Sequence, residues 1–282
     1  MNDIRLNDSY LDKIAGIPER IRRERPLIHH ITNMVVMNDT ANITLFVGAS
    51  PVMAHAAEEV AEMVGMARAL VLNIGTLTPG LVDAMLIAGK RANELGVPVV
   101  LDPVGAGATR LRTDSARRLL AELKIDILRG NAAEVSILGG RRAEVRGVDA
   151  AGVQGNTAEI ARDVAREYGL VVAITGKRDF VSDGDTIAAI DNGHPLMGNL
   201  TGTGCMSTSI VAAFAAIEID HMLAATGALA LFGVAGELAA EKSLVPGSFK
   251  TALFDEVYNM SEDTLRARAR VQVFKASEAD KL

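Results

Sequence analysis

The sequence predicts an α/β fold in three layers, α/β/α, with a mostly parallel central sheet flanked by helices. Three observations carry that prediction. From Glu58 onward, helix Glu58 to Ala67, strand Ala69 to Ile74, helix Gly80 to Leu95 and strand Val97 to Leu101 alternate at short spacing, a pattern that implies parallel strands covered on both faces. Nearly half the residues, 49%, are hydrophobic while 4% are aromatic and none is Trp, so the core is built from aliphatic side chains. Polar, glycine-bearing segments fall at the carboxyl ends of the strand runs, where such sheets bind their ligands. A chain of 282 residues suffices for one large core, and a single domain over residues 1–282 is expected.

Composition also bounds the partners. A net charge of -6, from 29 Lys and Arg against 35 Asp and Glu, provides no clustered basic patch and argues against nucleic acid. A single cysteine cannot form an intrachain disulfide, and Met1 to Arg5 lacks the apolar core of a signal peptide, so a cytoplasmic protein is expected. The longest apolar tract, Met206 to Gly236, is broken by Glu218, Asp220 and His221 and reads as two packed helices rather than a membrane span.

Taken in order, Ser9 to Arg25 places Leu11, Ile14, Ile17 and Ile21 at helical spacing, an amphipathic opening helix that Pro26 ends. Leu27 to Ile31 is a short strand entering the polar turn Thr32-Asn33. Five histidines without metal-ligand spacing argue against a transition-metal site. Asn38 to Phe46 reads as a helix and Gly48 to Met53 as a strand, with Met53 either core or ligand contact. After the regular alternation come helix Asp114 to Leu123 and strand Ile125 to Leu128. Gly139 to Asn156 is glycine-rich and charged, an ordered loop or a flap. Helix Ala158 to Tyr168 and strand Leu170 to Ile174 follow. Turn signals at Ser182 to Asp185 and Asp191 to His194 separate short β segments Phe180-Val181, Thr186 to Ile190 and Pro195 to Met197, so the sheet finishes in antiparallel hairpins. Beyond them only helices are expected, Met206 to Ile219, His221 to Ala240 and Gly247 to Met260, before a charged tail.

Several strand ends carry chemistry. Asp102-Pro-Val-Gly-Ala-Gly107 does not fit a dinucleotide fingerprint, because Arg110 stands at the third glycine position, and no P-loop occurs since Gly89-Lys90 and Gly176-Lys177 are both followed by Arg. Asp102 is either a turn-forming carboxylate or a ligand for hydrated Mg²⁺. Arg129-Gly-Asn-Ala-Ala-Glu134 combines an arginine suited to phosphate with oxygen ligands, although Asn131 and Glu134 also suit a capping box. Capping leaves Arg129 unexplained.

The most informative stretch is Asn199 to Thr208, where Gly202-Thr-Gly204 turns the chain into an apolar helix starting near Cys205. The first amides of a helix have no intrahelical partner and its dipole is positive there, so an anion is attracted to that point. Cys205, the lone cysteine, is either a small buried hydrophobe or a thiol whose ionisation the helix start favours, able to serve as a weak general base.

Five loops, Asn73-Ile-Gly-Thr76, Asp102 to Gly107, Arg129 to Glu134, Ala173-Ile-Thr-Gly176 and Thr201-Gly-Thr-Gly-Cys205, together with Ile31-Thr-Asn33 and Ser50-Pro-Val-Met53, resemble in kind and order those of hydroxyethylthiazole kinases, ribokinase-like enzymes of thiamine salvage. The resemblance runs from about Pro26 to about Phe254. It implies transfer of phosphate from ATP, with Mg²⁺, to the primary alcohol of 4-methyl-5-(2-hydroxyethyl)thiazole by a homotrimer whose thiazole sites lie at subunit contacts. On matching positions, Arg129 and Thr175 would contact ATP phosphates, and Glu134 with Asp102 nearby would hold hydrated Mg²⁺. Met53, Gly202, Asn33, Val35, Gly75 and Thr76 would line the thiazole site, and Cys205 would face the reacting hydroxyl. Other ribokinase-like enzymes, among them a dehydratase acting on hydrated NAD(P)H and pyridoxal or pyrimidine-alcohol kinases, usually carry Asp at the last position, so Cys205 favours the narrower family.

Overall fold

Strands and helices alternate in the folded chain much as they do in the sequence. Helices α1 (Asn2–Ala15) and α2 (Ile17–Glu24) lead into β1 (Leu27–Ile31), followed by α3 (Met37–Val47), β2 (Ser50–Val52), α4 (Val60–Met66), β3 (Ala69–Asn73) and α5 (Pro79–Leu95). Next come β4 (Val99–Asp102), α6 (Arg110–Glu122), β5 (Ile127–Asn131), α7 (Ala132–Leu138), α8 (Thr157–Tyr168), β6 (Val171–Thr175), β7 (Asp179–Ser182) and β8 (Thr186–Ile190). A 3₁₀ turn, Pro195–Asn199, precedes α9 (Thr203–Ala215), α10 (His221–Lys242), α11 (Pro246–Asn259), α12 (Glu262–Arg268) and β9 (Val271–Lys275). The structure, a computed structural model, describes residues 2–140 and 156–281, so most of the expected loop or flap Gly139 to Asn156 lies outside the described residues.

The strands form one sheet in the order β2-β1-β3-β4-β5-β6-β7-β8-β9. Pairing is parallel from β2 through β6 and antiparallel from β6 through β9. Successive strand residues point to opposite faces, and register turns this into rows. Val71, Val100, Ile127 and Val171 stand side by side and pack with α1, α2, α3, α9, α10 and α11 in one core. Their neighbours Leu72, Leu101, Leu128 and Val172 pack with α4, α5, α6, α7 and α8 in the other. Helix–sheet–helix layering, the expected fold class, follows from strands that are apolar on both faces. Among the described residues α10 is the one helix long and apolar enough to cross a membrane by length and composition, and 89% of its apolar window is buried inside the protein.

Four expectations need correction. The opening helix divides between Ala15 and Ile17, where Gly16 caps α2 and Pro18 follows, since a proline cannot continue a preceding helix. Helix α6 begins at Arg110 rather than Asp114, because the Thr109 side chain caps it by accepting from the Arg112 amide. Pro195 to Met197 is a 3₁₀ turn, not a β segment, with the His194 ring accepting from the Leu196 amide. The charged tail returns to the sheet as β9, antiparallel to β8 from Val271 opposite Ile190 to Lys275 opposite Thr186. Asn192 pins it there, accepting from the Arg270 amide at 2.6 Å and donating to the Arg268 carbonyl at 3.0 Å.

Candidate active site

The apolar rows end in polar residues. Two positions beyond Val71, Val100, Ile127 and Ala173 on the same face of the sheet stand Asn73, Asp102, Arg129 and Thr175, each at or near its strand's carboxyl end. The period-two pattern that buries the valines therefore aims these four side chains at the layer containing α9.

Helix α9 begins at Thr203, with Gly202 as its cap at φ +92°, a left-handed conformation that favours glycine. A Cβ on Gly202 would also come within 2.6 Å of Val36 Cγ1, and one on Gly204 within 2.7 Å of Arg129 Nη1. Gly204 thus lets the helix start close over the guanidinium, while Gly202 lets the turn before it pack on Val36. Arg129 is buried, donates to the Thr175 hydroxyl and lies 3.8 Å from Asp102 Oδ2.

Asp102 is fully buried. Its Oδ2 accepts from Asn73 Nδ2 at 2.9 Å and from the Thr208 hydroxyl at 2.8 Å, whereas its Oδ1 is buried without a partner. Burial raises its pKa, opposed by Arg129 and by hydrogen bonds from Thr208, Cys205 and Asn73. Cys205 Sγ accepts from Asn73 Nδ2 at 3.2 Å and from Asn33 Nδ2 at 3.5 Å. Burial, reinforced by the charge of Asp102, pushes the thiol up to about 12. This corrects the expectation that the helix start favours a thiolate, because desolvation and a neighbouring carboxylate outweigh the helix dipole.

Glu134 realises the capping box: Oε2 accepts from the Asn131 amide at 2.9 Å while Asn131 Oδ1 accepts from the Glu134 amide at 2.9 Å. Its Oε1 reaches across to the Gly105 amide at 2.7 Å and ties α7 to the loop after β4. Burial and the charge of Asp102 raise its pKa. Among the described residues no group of three or more His, Cys, Asp or Glu is placed to hold a metal ion.

The fold thus joins Asn33, Gly75, Asp102, Arg129, Thr175 and Cys205 through direct contacts that run by way of Asn73, while Glu134 is tied to the loop after β4 through Gly105 and Gly202 lies against Val36. Thr76 belongs to the same margin, its hydroxyl accepting from the Met34 amide at 3.0 Å. Val35 is 67% exposed beside it, and Met53 stands just past β2 on the edge of the sheet, two strands from Asn73. Sequence reasoning placed Asn73 in a functional strand-end loop and Thr208 at the end of the Asn199 to Thr208 stretch, but gave neither residue a role in the site. Asn73 had a legible signal, a polar side chain two positions after Val71 at a strand end. The particular role of Thr208 had none, since several hydroxyls stand in that stretch and no local pattern singles one out.

The fold is ribokinase-like, and in it parallel strands end in a buried carboxylate and arginine that face the glycine-turned start of a helix. A ribokinase-like superfamily protein from Enterococcus faecalis shares the fold, with a TM-score of 0.63 at 12% identity over 84% of this chain and 87% of that one. The model of the hydroxyethylthiazole kinase family matches residues 19–263, and the chain belongs to that family. The hydroxyethylthiazole kinase of Chloroflexus aggregans is 55% identical over 93% of this chain and 95% of its own length. The structure of the hydroxyethylthiazole kinase protein from Pyrococcus horikoshii superposes with a TM-score of 0.86 at 45% identity, covering 93% of this chain and 98% of that one.

Proposed function

We propose that this chain transfers the terminal phosphoryl group of ATP to the primary alcohol of 4-methyl-5-(2-hydroxyethyl)thiazole, in thiamine biosynthesis and salvage. Membership of the family across residues 19–263 carries this reading. The chemistry of the site agrees with it. Phosphoryl transfer asks little covalent help of a protein and depends on positioning and charge neutralisation. Arg129, held by Thr175, clamps the phosphates, and the free amides at the start of α9 receive the charge that develops on them. Cys205 faces the reacting hydroxyl. Asn33, Val35, Met53, Gly75, Thr76 and Gly202 surround the thiazole.

Asp102 and Glu134 would hold hydrated Mg²⁺, which neutralises phosphate charge when bound. The donor set fits. Hydrated Mg²⁺ keeps several waters and needs one or two carboxylates beside the phosphates, and the unpartnered Asp102 Oδ1 is a free oxygen of that kind. Each Glu134 oxygen accepts one amide and retains a lone pair for water.

The assembly we propose is a homotrimer with a partner subunit covering the thiazole margin. Met34, 72% exposed, and Val35, 67% exposed, form an apolar edge suited to such a contact. Light scattering at micromolar concentration should give a trimer's mass, and a monomer's mass overturns the assembly. ATP and Mg²⁺ as reactants suit the cytoplasm. For the activity, ADP release is measured with the thiazole alcohol, a pyrimidine alcohol, pyridoxal and hydrated NADH as separate acceptors or substrates. Turnover is expected with the thiazole alcohol, and turnover confined to another compound overturns the reading.

A further inference from the structure

We infer that Arg112 is a positioning residue that holds the loop receiving the alcohol in register with the loop that follows Asp102 and docks on Glu134; the inference rests on the function proposed above. Arg112 lies in the first turn of α6, outside every motif discussed in the sequence. Its guanidinium donates to three main-chain carbonyls on two loops. Nη1 reaches Val104 at 2.8 Å and Ile74 at 3.1 Å, and Nη2 reaches Gly75 at 2.8 Å. Those loops follow β3 and β4 directly.

Each clamped loop continues into the site. On one side Gly75 donates to Asn73 Oδ1 at 2.9 Å and Thr76 accepts from the Met34 amide. A Cβ on Gly75 would meet Asn33 Nδ2 at 2.8 Å, so this loop is already seated against Asn33. On the other side the residue after Val104, Gly105, donates to Glu134 Oε1 at 2.7 Å. Gly105 adopts φ +76°, and a Cβ there would stand 3.0 Å from Arg112 Cδ, so the arginine stem lies flat on that backbone. One planar fork thereby links the thiazole margin to the Asp102 and Glu134 margin.

A helix-stabilising role does not account for this residue. A cation in the first turn opposes the helix dipole. Among the described residues Arg112 has carbonyl partners and no carboxylate. Three carbonyls served at fixed angles suit the rigid guanidinium fork, and a lysine ammonium does not reproduce that geometry. Arg129 and Thr175 lie on β5 and β6, beyond the reach of this clamp, so its loss should spare the phosphate contacts.

The test compares Arg112→Lys and Arg112→Gln with the parent for melting, steady-state kinetics and peptide-level hydrogen exchange. With the fold retained, KM for the thiazole alcohol should rise and kcat should fall on the order of 10- to 100-fold, as for a displaced reactant, with KM for ATP changing far less. Amides of both loops, residues 74–76 and 104–105, should exchange faster together. Parental kinetics and exchange in Arg112→Lys overturn the inference. So does a loss that merely tracks the melting temperature and raises both KM values alike. If the parent itself fails to phosphorylate the thiazole alcohol, the proposed function fails; exchange then decides the clamp alone, with slow parental exchange in both loops of the variants counting against it.

Discussion

Asn73 Nδ2 donates to Cys205 Sγ at 3.2 Å, and the same nitrogen donates to Asp102 Oδ2 at 2.9 Å. Its Oδ1 accepts from Asn33 Nδ2 at 2.8 Å and from the Gly75 amide at 2.9 Å. All four hydrogen-bonding places of the amide are filled, and a flipped amide would set donor against donor. Asn73 therefore fixes the thiol relative to the carboxylate.

Asn73→Ala should lower stability by about 1–3 kcal/mol, the cost of leaving buried partners unsatisfied, and lower kcat as well. Denaturant midpoints and turnover on the same preparation check this. A variant that loses stability but keeps the parental kcat would reduce Asn73 to packing.

Cys205 separates two accounts of the chemistry. With its thiol pushed up to about 12, the thiolate fraction at neutral pH is small and grows about tenfold per pH unit. If the thiolate is a weak base, kcat should climb with pH from neutrality upward. Cys205→Asp should hold or raise kcat with a flat profile there, and Cys205→Ser should lose on the order of 10²-fold, the low end for general-base help. If the thiol only packs, Ser is tolerated and a buried Asp beside Asp102 is harmful. Pre-steady-state and steady-state rates of both variants against pH decide between them.

For Arg129 the cleaner variant is lysine, which keeps a cation beside Asp102 while losing the fork. Arg129→Lys should weaken kcat/KM for ATP by about 2 kcal/mol, the scale of a hydrogen bond to a charged group, and leave KM for the alcohol unchanged. Arg129→Ala should in addition destabilise the fold, since Asp102 then stands buried without its cation. Unchanged ATP kinetics in folded Arg129→Lys would reject the clamp.

His30 predicts an acid limit to stability. It is fully buried on β1 with Nε2 at 3.3 Å from the Thr44 hydroxyl. Burial lowers its pKa from 6.5 to about 3, with His29 and His55 adding to the shift. The unfolded chain thus takes up the proton first. The stability contributed by neutral His30 is complete above pH about 6.5 and is lost as pH falls toward about 3, at about 1.36 kcal/mol per unit. Denaturant midpoints at several pH values should fall more steeply for the parent than for His30→Gln across that window, and parallel curves would refute the assignment.

How far the sequence reaches depends on whether a feature is local. The alternating strands and helices from Glu58 to Leu101 were legible because periodicity and turn chemistry act over a few residues, and the two-sided sheet follows from runs such as Ala69 to Leu72 that are apolar on both faces. The strand-end loops were legible for the same reason, as was the glycine turn before α9. Features that join distant residues were not. Strand β9 pairs with β8 across more than eighty positions of sequence, a match that no local pattern in a charged tail reports. Asn73 meets Cys205 across a separation of 132 positions, Thr208 meets Asp102 across 106, and Arg112 meets Ile74 across 38. The thiol shows the limit most sharply. Its place at a helix start is written locally and favours ionisation, but burial and the approach of Asp102 arise only when the sheet closes against α9, and desolvation together with a like charge then reverses the sign of the shift. The sequence by itself determined which chemical groups reach the strand ends; the tertiary structure decided their partners and their protonation, because both depend on distance through space and on exclusion of water.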